Sequence, residues 1–210
     1  MKRRHSNRPP LAAVLPACGL LSIALMVPEA RAAMVPAMDL EEMAGRAEVI
    51  VLGTVEEAKP AWVEGGRLIV TRVAVGVEQS LKGGPRSRVE FTVIGGRVGE
   101  TTLVASGAPV FRPGERVVLF LDRSPAPGEP AEAVRARPLG VTGWNLGTMP
   151  VRRDPATGRS LVHARVTSGP APGRDGRPGP PRGPEGPVDL ETMLRRIEAA
   201  LVVPAPGTPR

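Results

Sequence analysis

The amino-acid sequence predicts a mainly β protein: a small closed or partly open β-barrel with a short helix before it and a second helix after it. Three observations predict this class. From residue 49 onward, short runs alternate apolar with other residues at the period of two that is typical of strands. Segments dense in proline and glycine separate these runs, as turns do. Helical periodicity is limited to one segment before the runs and one near the C-terminus.

The first predicted element is a short helix. Asp39 is a typical N-cap residue, and the apolar face that follows it consists of Leu40, Met43, Ala44 and Ala47. We therefore expect a helix that begins after Asp39 and leads into the core.

The two longest strand-like runs predict a sheet that curls. They are EVIVLGTV, which starts at Glu48, and RLIVTRVAVGVEQ, which starts at Arg67. Gly53 and Gly76 lie inside these runs, where glycine weakens strand pairing but allows a sheet to coil sharply. The predicted sheet is therefore closer to a barrel than to a flat layer.

Five further runs predict the remaining strands. They are SRVEFTVIG, TTLVASG, ERVVLFLD, EAVRARPLGV and SLVHARV. Turn-like segments such as LKGGPR, FRPGE and SPAPGEP separate them. Six or seven short strands with few helices fit a small barrel or a sandwich.

Composition divides the chain into five segments. We expect a signal peptide (1–32), a β-barrel domain (33–167), a disordered linker rich in Pro, Gly and Arg (168–187), an amphipathic helix (188–203) and a disordered tail (204–210). In the C-terminal helix, Asp189 is the predicted cap, and an apolar stripe follows it: Leu190, Met193, Leu194, Ile197 and Leu201. The stripe predicts that this helix docks on its own domain, with docking on a partner as the alternative.

The first thirty residues have the pattern of an export signal. A basic start precedes an apolar stretch, Leu11 to Val27, and the segment ends in the small-residue sequence Ala30-Arg31-Ala32. The predicted location is periplasmic or secreted, in a bacterium, with no membrane span after cleavage. Pro16 interrupts the apolar stretch, which argues against an uncleaved anchor. Processing as a lipoprotein at Cys18 is a second alternative.

The charge of the chain does not predict nucleic-acid binding. The formal net charge is +7, but the leader holds five basic residues and one acidic residue. Without it, 23 basic and 20 acidic residues remain, a net charge of +3. The basic residues are nearly all arginine, which a GC-rich genome favours without selection for binding. We therefore predict no nucleic-acid partner.

The residues that usually carry chemistry are scarce. Beyond the leader there is no cysteine and a single histidine, His163, in a strand-like stretch. The adjacent carboxylates Glu41-Glu42 and Glu56-Glu57 are expected to point apart, so they do not predict an acid–base pair. We predict no catalytic residue, no metal ligand and no cofactor.

The segment VIGGRVGE, from Val93 to Glu100, has the glycines of a phosphate-binding loop. It lacks the Gly-x-Gly-x-x-Gly spacing and the Lys-Ser or Lys-Thr pair of a P-loop. The β-branched sequence after it does not predict a helix, whose N-terminus would bind phosphate. We therefore expect a hairpin connection, with Arg97 at its tip as a candidate contact for a partner.

Two tryptophans are further candidates for binding a partner. Trp62 in KPAWVEGG and Trp144 in VTGWNLGT both lie in turn-like surroundings. Tryptophan is enriched among the residues that dominate protein interfaces. Packing of either side chain against an end of the barrel is the alternative.

Four segments together resemble a family of uncharacterised exported bacterial proteins. They are LEEMAGRAEVIVLGTV, AWVEGGRLIVTRVAVGVEQSLKGG, VIGGRVGE and GAPVFRPGERVVLFL, within residues 39 to 147. In layout such proteins are similar to the netrin-like barrels of the tissue inhibitors of metalloproteinases, which are oligonucleotide-binding-type folds. The resemblance implies a fold and no functional residue. Those inhibitors bind zinc through an N-terminal cysteine, which this chain lacks after the leader.

Three functions remain open at this point. The first is an exported, non-enzymatic β-barrel module that binds a protein or an envelope component. The second, implied by the barrel layout alone, is a protease inhibitor or a protease-associated domain. The third is a hydrolase that uses carboxylates.

Overall fold

The computed structural model describes residues 38–123, 129–163 and 186–202. In these ranges the chain forms a mainly β structure with three helices. The helices are α1 (Leu40–Arg46), α2 (Ala131–Ala136) and α3 (Leu190–Val202). The strands are β1 (Val49–Val63), β2 (Leu68–Lys82), β3 (Arg88–Ile94), β4 (Gly96–Val98), β5 (Thr101–Leu103), β6 (Arg116–Asp122), β7 (Gly140–Val141), β8 (Thr148–Arg153), β9 (Ser160–Val162) and β10 (Val188–Asp189).

Antiparallel pairing joins most of the strands into one sheet, in the order β10-β9-β8-β6-β1-β2-β3. Strand β7 pairs with the end of β6, and β4 and β5 form a separate hairpin. The described strands do not form a closed barrel, because β3 and β10 are the two ends of this order. The sheet nevertheless curls: Phe91 in β3 forms a bridge with Leu139, and the Thr92 N–H donates to the Leu139 carbonyl at 2.9 Å.

The glycines inside the two long strands lie close to each other across the β1–β2 pairing. A Cβ atom on Gly53 would lie 2.4 Å from the carbonyl oxygen of Gly76. The β1–β2 pairing also shifts register between Leu52 and Gly53 and again between Val55 and Glu57. Bulges of this kind increase the local bend and twist of a strand. The long hairpin therefore combines glycines and bulges where the sheet curls.

Two apolar cores lie on the two faces of the sheet. We call the first the helix-covered core, since α1 and α3 pack on it; its buried residues are Met43, Ala44, Ala47, Ile50, Leu52, Val118, Phe120, Leu146, Met149, Val151, Val162, Leu190, Met193, Ile197 and Ala200. We call the second the inner core; its buried residues are Val49, Val51, Val55, Val73, Val75, Val89, Phe91, Phe111, Val117, Leu119, Leu121 and Leu139. Alternate residues of β1 and β6 enter the two cores, as the period of two requires.

The predicted terminal helices are both present, with their predicted caps. The Asp39 side chain accepts a hydrogen bond from the Glu42 N–H at 2.8 Å. The Asp189 side chain accepts from the N–H groups of Glu191 and Thr192 at 3.1 and 3.3 Å. Helix α3 docks on its own domain, because its apolar stripe is part of the helix-covered core. It begins at Leu190, since residues 188 and 189 pair with β9.

Lys82, at the end of β2, holds the C-terminus of α1 on the sheet. Its Nζ donates to the carbonyls of Ala44 and Gly45 at 2.7 and 3.1 Å. These carbonyls lack partners within the helix, and a cation is favourable at this end of a helix. The next residue, Gly83, has a φ of +89°, and a Cβ atom there would lie 2.6 Å from the Glu48 carbonyl. The sequence Leu-Lys-Gly thus connects the end of β2 to the C-terminal end of α1.

Two sequence predictions about strands are wrong. EAVRARPLGV was expected to be a strand, but its first half forms α2 and only Gly140–Val141 is a strand. Alanine, glutamate and arginine favour a helix, and Pro138 ends it. Strand β8 was missed, because Pro150 lies inside it. The Pro150 carbonyl accepts from the His163 N–H at 2.9 Å, so the backbone of Pro150 faces β9. The backbone N–H that proline lacks is therefore missing on the β9 side of β8.

Three predicted segments lie outside the described residues: the signal peptide, the tail and all of the linker except residues 186 and 187. Among the helices of the described ranges, none is long and apolar enough to cross a membrane.

Candidate functional site

An apolar groove lies beside the inner core. It consists of two adjoining cavities of about 380 and 200 Å³. The cavities share four lining residues: Val93, Ile94, Ala108 and Pro109. The larger one extends toward β1, β4 and β5, and the smaller one extends toward β7 and the turn that follows it. We refer to the two together as the groove.

The base of the groove is formed by Phe111. This residue is buried, and its ring contacts the Phe91 ring edge to face, with 5.1 Å between the centroids. Such a geometry is favourable for two aromatic rings. Because Phe91 belongs to the inner core, the base of the groove is continuous with a packed and rigid part of the molecule.

The rim of the groove exposes large apolar side chains. Among the described residues six large apolar side chains are exposed, and four of them line the groove: Ile94, Val104, Val110 and Trp144. Val104 and Val110 are 83% and 68% exposed. Single exposed apolar residues are ordinary, but a contiguous group is typical of an interaction surface.

Trp144 is held in the groove by an unusual backbone. Its φ is +68°, a conformation that costs a residue with a side chain about 1–3 kcal/mol. The indole Nε1 donates to the Ser106 carbonyl at 3.1 Å, and a Cβ atom on Gly107 would lie 3.3 Å from that nitrogen. The indole therefore lies against the backbone of the 105–108 loop, and 37% of the residue stays exposed.

Arg97 lines the other end of the groove. Its Nε donates to the Gly99 carbonyl at 3.1 Å, across the turn of the β4–β5 hairpin. Among the described residues, Arg97 is the only charged one that lines either cavity. Within the described ranges no carboxylate forms an ion pair with it.

The glycines before Arg97 have a structural reason. VIGGRVGE leads into a hairpin, as predicted, since β4 pairs with β5. Arg97 is not at its tip, contrary to the prediction: it lies within β4 opposite Thr102, and the turn is at residues 99 and 100. Gly95 and Gly96 have φ values of +103° and +139°, and a Cβ atom on Gly96 would lie 2.6 Å from Thr71 Oγ1. The Thr71 hydroxyl donates to the Gly95 carbonyl at 2.7 Å. Glycine is required because the chain turns sharply and passes close over β2.

The three candidate residues of the sequence do not all meet. Trp144 and Arg97 line the two adjoining cavities, whereas Trp62 lines neither. Trp62 lies opposite Ile69 in the β1–β2 hairpin and is 42% exposed. Pro60, two residues earlier on the same face of β1, lines the groove. Trp62 therefore lies beyond the end of the groove.

The rim valines were missed by sequence reasoning. Val104 lies in the run TTLVASG, which was predicted to be a strand throughout, but β5 ends at Leu103. Val110 lies in a turn-like segment where no strand would bury it, and a β-branched apolar residue in such a place is a signal that could have found it.

The adjacent carboxylates Glu56 and Glu57 do not point apart, contrary to the prediction. Both contact Arg88, at 3.0 and 3.9 Å, because Glu56 is the extra residue of a bulge in β1. A hydrogen bond from Lys59 lowers the pKa of Glu57 below its ordinary value, and the charge of Lys59 acts in the same direction. Glu57 is therefore held in the charged form, which does not suit a general acid.

Two other candidates for chemistry, His163 and Glu42, each have a contact in the described residues. The His163 N–H donates to Pro150, and Glu42 contacts Arg46 at 3.9 Å. No group of three or more His, Cys, Asp or Glu side chains in the described ranges could hold a metal ion.

Comparisons with known proteins do not assign a family. The sequence matches no model of a known protein family and no curated protein.

Proposed function

We propose that this protein is an exported, non-enzymatic module that binds a protein partner through the groove. The observation that supports the proposal is the clustering of four exposed large apolar side chains along one groove. Association would remove these side chains from water, which stabilises a complex by roughly 25 cal/mol for each Å² of apolar surface. Trp144 is a suitable anchor, because its indole is already held in place by Ser106.

The partner is proposed to dock by side chains and not by adding a strand to the sheet. Beyond Val55, β1 pairs with β2 alone among the described strands, so its other edge is unpaired there, and residues 59–62 are exposed. The Ile69 carbonyl in β2 accepts from the Gly95 N–H, so it points toward β3. In an antiparallel pair, the backbone groups of successive residues point alternately to the two edges of a strand, and those of Pro60 in β1 therefore point to the exposed edge. Proline lacks the N–H that an added strand requires. An edge proline is a common protection against strand addition.

The proposal also covers the type of barrel and the cellular location of the protein. We propose a partly open barrel of the oligonucleotide-binding, netrin-like type, supported by the bridge between Phe91 and Leu139. The pattern of the first thirty residues supports export to the periplasm or the medium. Membership of the exported bacterial family that the sequence resembles is part of the proposal as well.

Site-specific photocrosslinking in the producing cells tests the proposal. A photoreactive residue would replace Val104 or Val110 in the groove, and Val202 at the end of α3 as the control. Val202 is a matched control, because it is 83% exposed, as Val104 is. We expect the same protein adduct from both groove positions and its absence from Val202. Equal adducts at all three positions, or none in the groove, would contradict the proposal.

The identity of the adduct also separates the alternatives. A protease in the adduct, together with loss of its activity on titration with this protein, would favour the inhibitor function. An adduct with a non-proteolytic protein would favour a binding module of another kind.

A further inference from the structure

We infer that the groove binds an extended apolar peptide segment that carries a carboxylate, and that Arg97 binds this carboxylate. The inference rests on the proposed function, since it names the chemistry of the partner at the same site. In the part of the chain that the structure describes, twenty different residues line the two cavities, and Arg97 is the only charged one among them.

One hydrogen bond orients the Arg97 guanidinium and leaves part of its hydrogen-bonding capacity for a ligand. Its Nε donates to the Gly99 carbonyl at 3.1 Å. In the described ranges neither terminal nitrogen has an acceptor. The bond to Gly99 restrains the side chain, which reduces the entropy that a ligand would have to remove. Two terminal N–H donors of a restrained guanidinium fit the two oxygens of a carboxylate.

The electrostatic environment favours an anion at this position. The other described lining residues are neutral, so an incoming carboxylate meets no negative side chain among them. The nearby Thr71 hydroxyl already donates to Gly95, so it does not compete with Arg97 for the ligand. Complementary charge of this kind contributes mainly to specificity and to the rate of association.

The remaining surface selects apolar side chains on an extended backbone. The two cavities adjoin, and their exposed wall consists of Ile94, Val104, Val110 and Trp144. Cavities of about 380 and 200 Å³ have room for apolar side chains of a ligand. The exposed rim leaves one side of a bound segment in contact with water, which a peptide backbone needs for its polar groups. This favours a peptide over a lipid chain, which would need to be enclosed.

Selection from a random heptapeptide library displayed on phage tests the inference. The whole chain without its leader would be used in three forms: wild type, Arg97→Glu and Arg72→Glu. Arg72 is a matched control, because it is exposed on β2 next to Thr71 and has no ion pair in the described ranges. Circular dichroism would first establish that all three forms fold.

We expect the wild type and Arg72→Glu to enrich apolar heptapeptides with one Asp or Glu. Arg97→Glu should enrich apolar heptapeptides with Lys or Arg instead. For an enriched acidic peptide in solution, fluorescence anisotropy should give an affinity about tenfold lower with Arg97→Glu than with wild type. The amide form of that peptide, with Asn or Gln in place of the acid, should bind the wild type about three- to tenfold more weakly.

The outcomes separate the two proposals. Apolar enrichment with no acidic preference would overturn the inference and leave the proposed function standing. Failure to enrich apolar peptides would contradict both. If Arg97→Glu does not fold, the comparison of the acidic peptide with its amide form on the wild type decides alone. Equal affinity for the two peptides would then overturn the inference.

Discussion

The helix-covered core and the groove are built from similar apolar residues but differ in what covers them. In the helix-covered core, α1 and α3 exclude water from one face of the sheet, and Met193 and Ile197 of α3 are almost completely buried. In the groove, no helix of the described ranges covers Ile94, Val104 and Val110, and they stay exposed. The difference indicates that the chain uses its two described terminal helices on one face and leaves a second apolar surface available.

The backbone also differs between the helix-covered core and the groove. At the helix-covered end, Lys82 donates to the last carbonyls of α1, and Asp39 and Asp189 cap the two helices. These contacts lower the free energy of the folded chain. At the groove, Trp144 adopts a positive φ that is unfavourable for its side chain. Strain of this kind is common where a residue is positioned for binding.

Shortening a side chain in the helix-covered core should have the largest effect on stability. Ile197→Ala is expected to lower the free energy of unfolding by about 3 kcal/mol, since Ile197 is fully buried between α3 and the sheet. Val202→Ala, at the exposed end of the same helix, should change it by less than about 0.5 kcal/mol. Urea unfolding measures both. Similar values for the two variants would mean that α3 does not contribute to the core.

Removing the indole in the groove should separate binding from stability. Trp144→Gly is expected to weaken binding of a library-derived peptide by about 2 kcal/mol or more, since the anchor is lost. The free energy of unfolding should change by less than about 1 kcal/mol, because glycine adopts the positive φ without strain. Calorimetry of the peptide and urea unfolding measure the two quantities. Retained binding with lost stability would make Trp144 a structural residue.

Removing the hydrogen bonds of Lys82 to the end of α1 should have an intermediate effect on stability. Lys82→Met is expected to lower the free energy of unfolding by about 1 kcal/mol, through loss of the bonds to Ala44 and Gly45. Burial lowers the pKa of the Lys82 ammonium below its ordinary value of 10.5. Below pH 10.5 the unfolded chain therefore binds more protons at this group, and the stability contributed by Lys82 rises with pH in that range.

Urea unfolding of wild type and Lys82→Met at several alkaline pH values measures this dependence. The difference between the two proteins should widen as the pH rises toward 10.5. A difference that narrows would contradict the direction of the pKa change.

The smallest effect is expected at the edge of the helix-covered face. Glu78 accepts hydrogen bonds from Arg116 Nη2 at 2.6 Å and from Thr54 at 2.9 Å. The bond from Arg116 is the main reason that the pKa of Glu78 lies below its ordinary value. Because the carboxylate is 37% exposed, solvent weakens the pair, and Glu78→Gln should cost about 0.5 kcal/mol at neutral pH.

This contribution has a defined pH dependence. A carboxylate whose pKa is lowered in the folded state stabilises it above the unfolded pKa and loses the effect as the pH falls through the folded pKa. The difference between wild type and Glu78→Gln should therefore be constant above pH 4.5 and disappear in more acidic solution. Thermal unfolding between pH 2 and 7 measures it, and an advantage of wild type that persists at pH 2 would contradict it.

Local patterns account for what could be predicted. The helix caps at Asp39 and Asp189 and the β4–β5 hairpin depend on contacts between residues close in sequence, so they were predictable. Helix α2 and strand β8 were not, because the short run EAVRA has no apolar period and Pro150 is tolerated only through its place beside β9. The bulge at Glu56 was missed for the same reason, since register depends on the partner strand.

By itself the sequence determined the mainly β class, the two terminal helices and the hairpin at VIGGRVGE. These follow from periodicity, caps and turn residues, which act over a few residues. Only the tertiary structure decided that Arg97 and Trp144, 47 positions apart, line one groove with Ile94 and Val110 while Trp62 does not. The curl of the sheet places them there, and it arises from pairings between distant strands that no local pattern encodes.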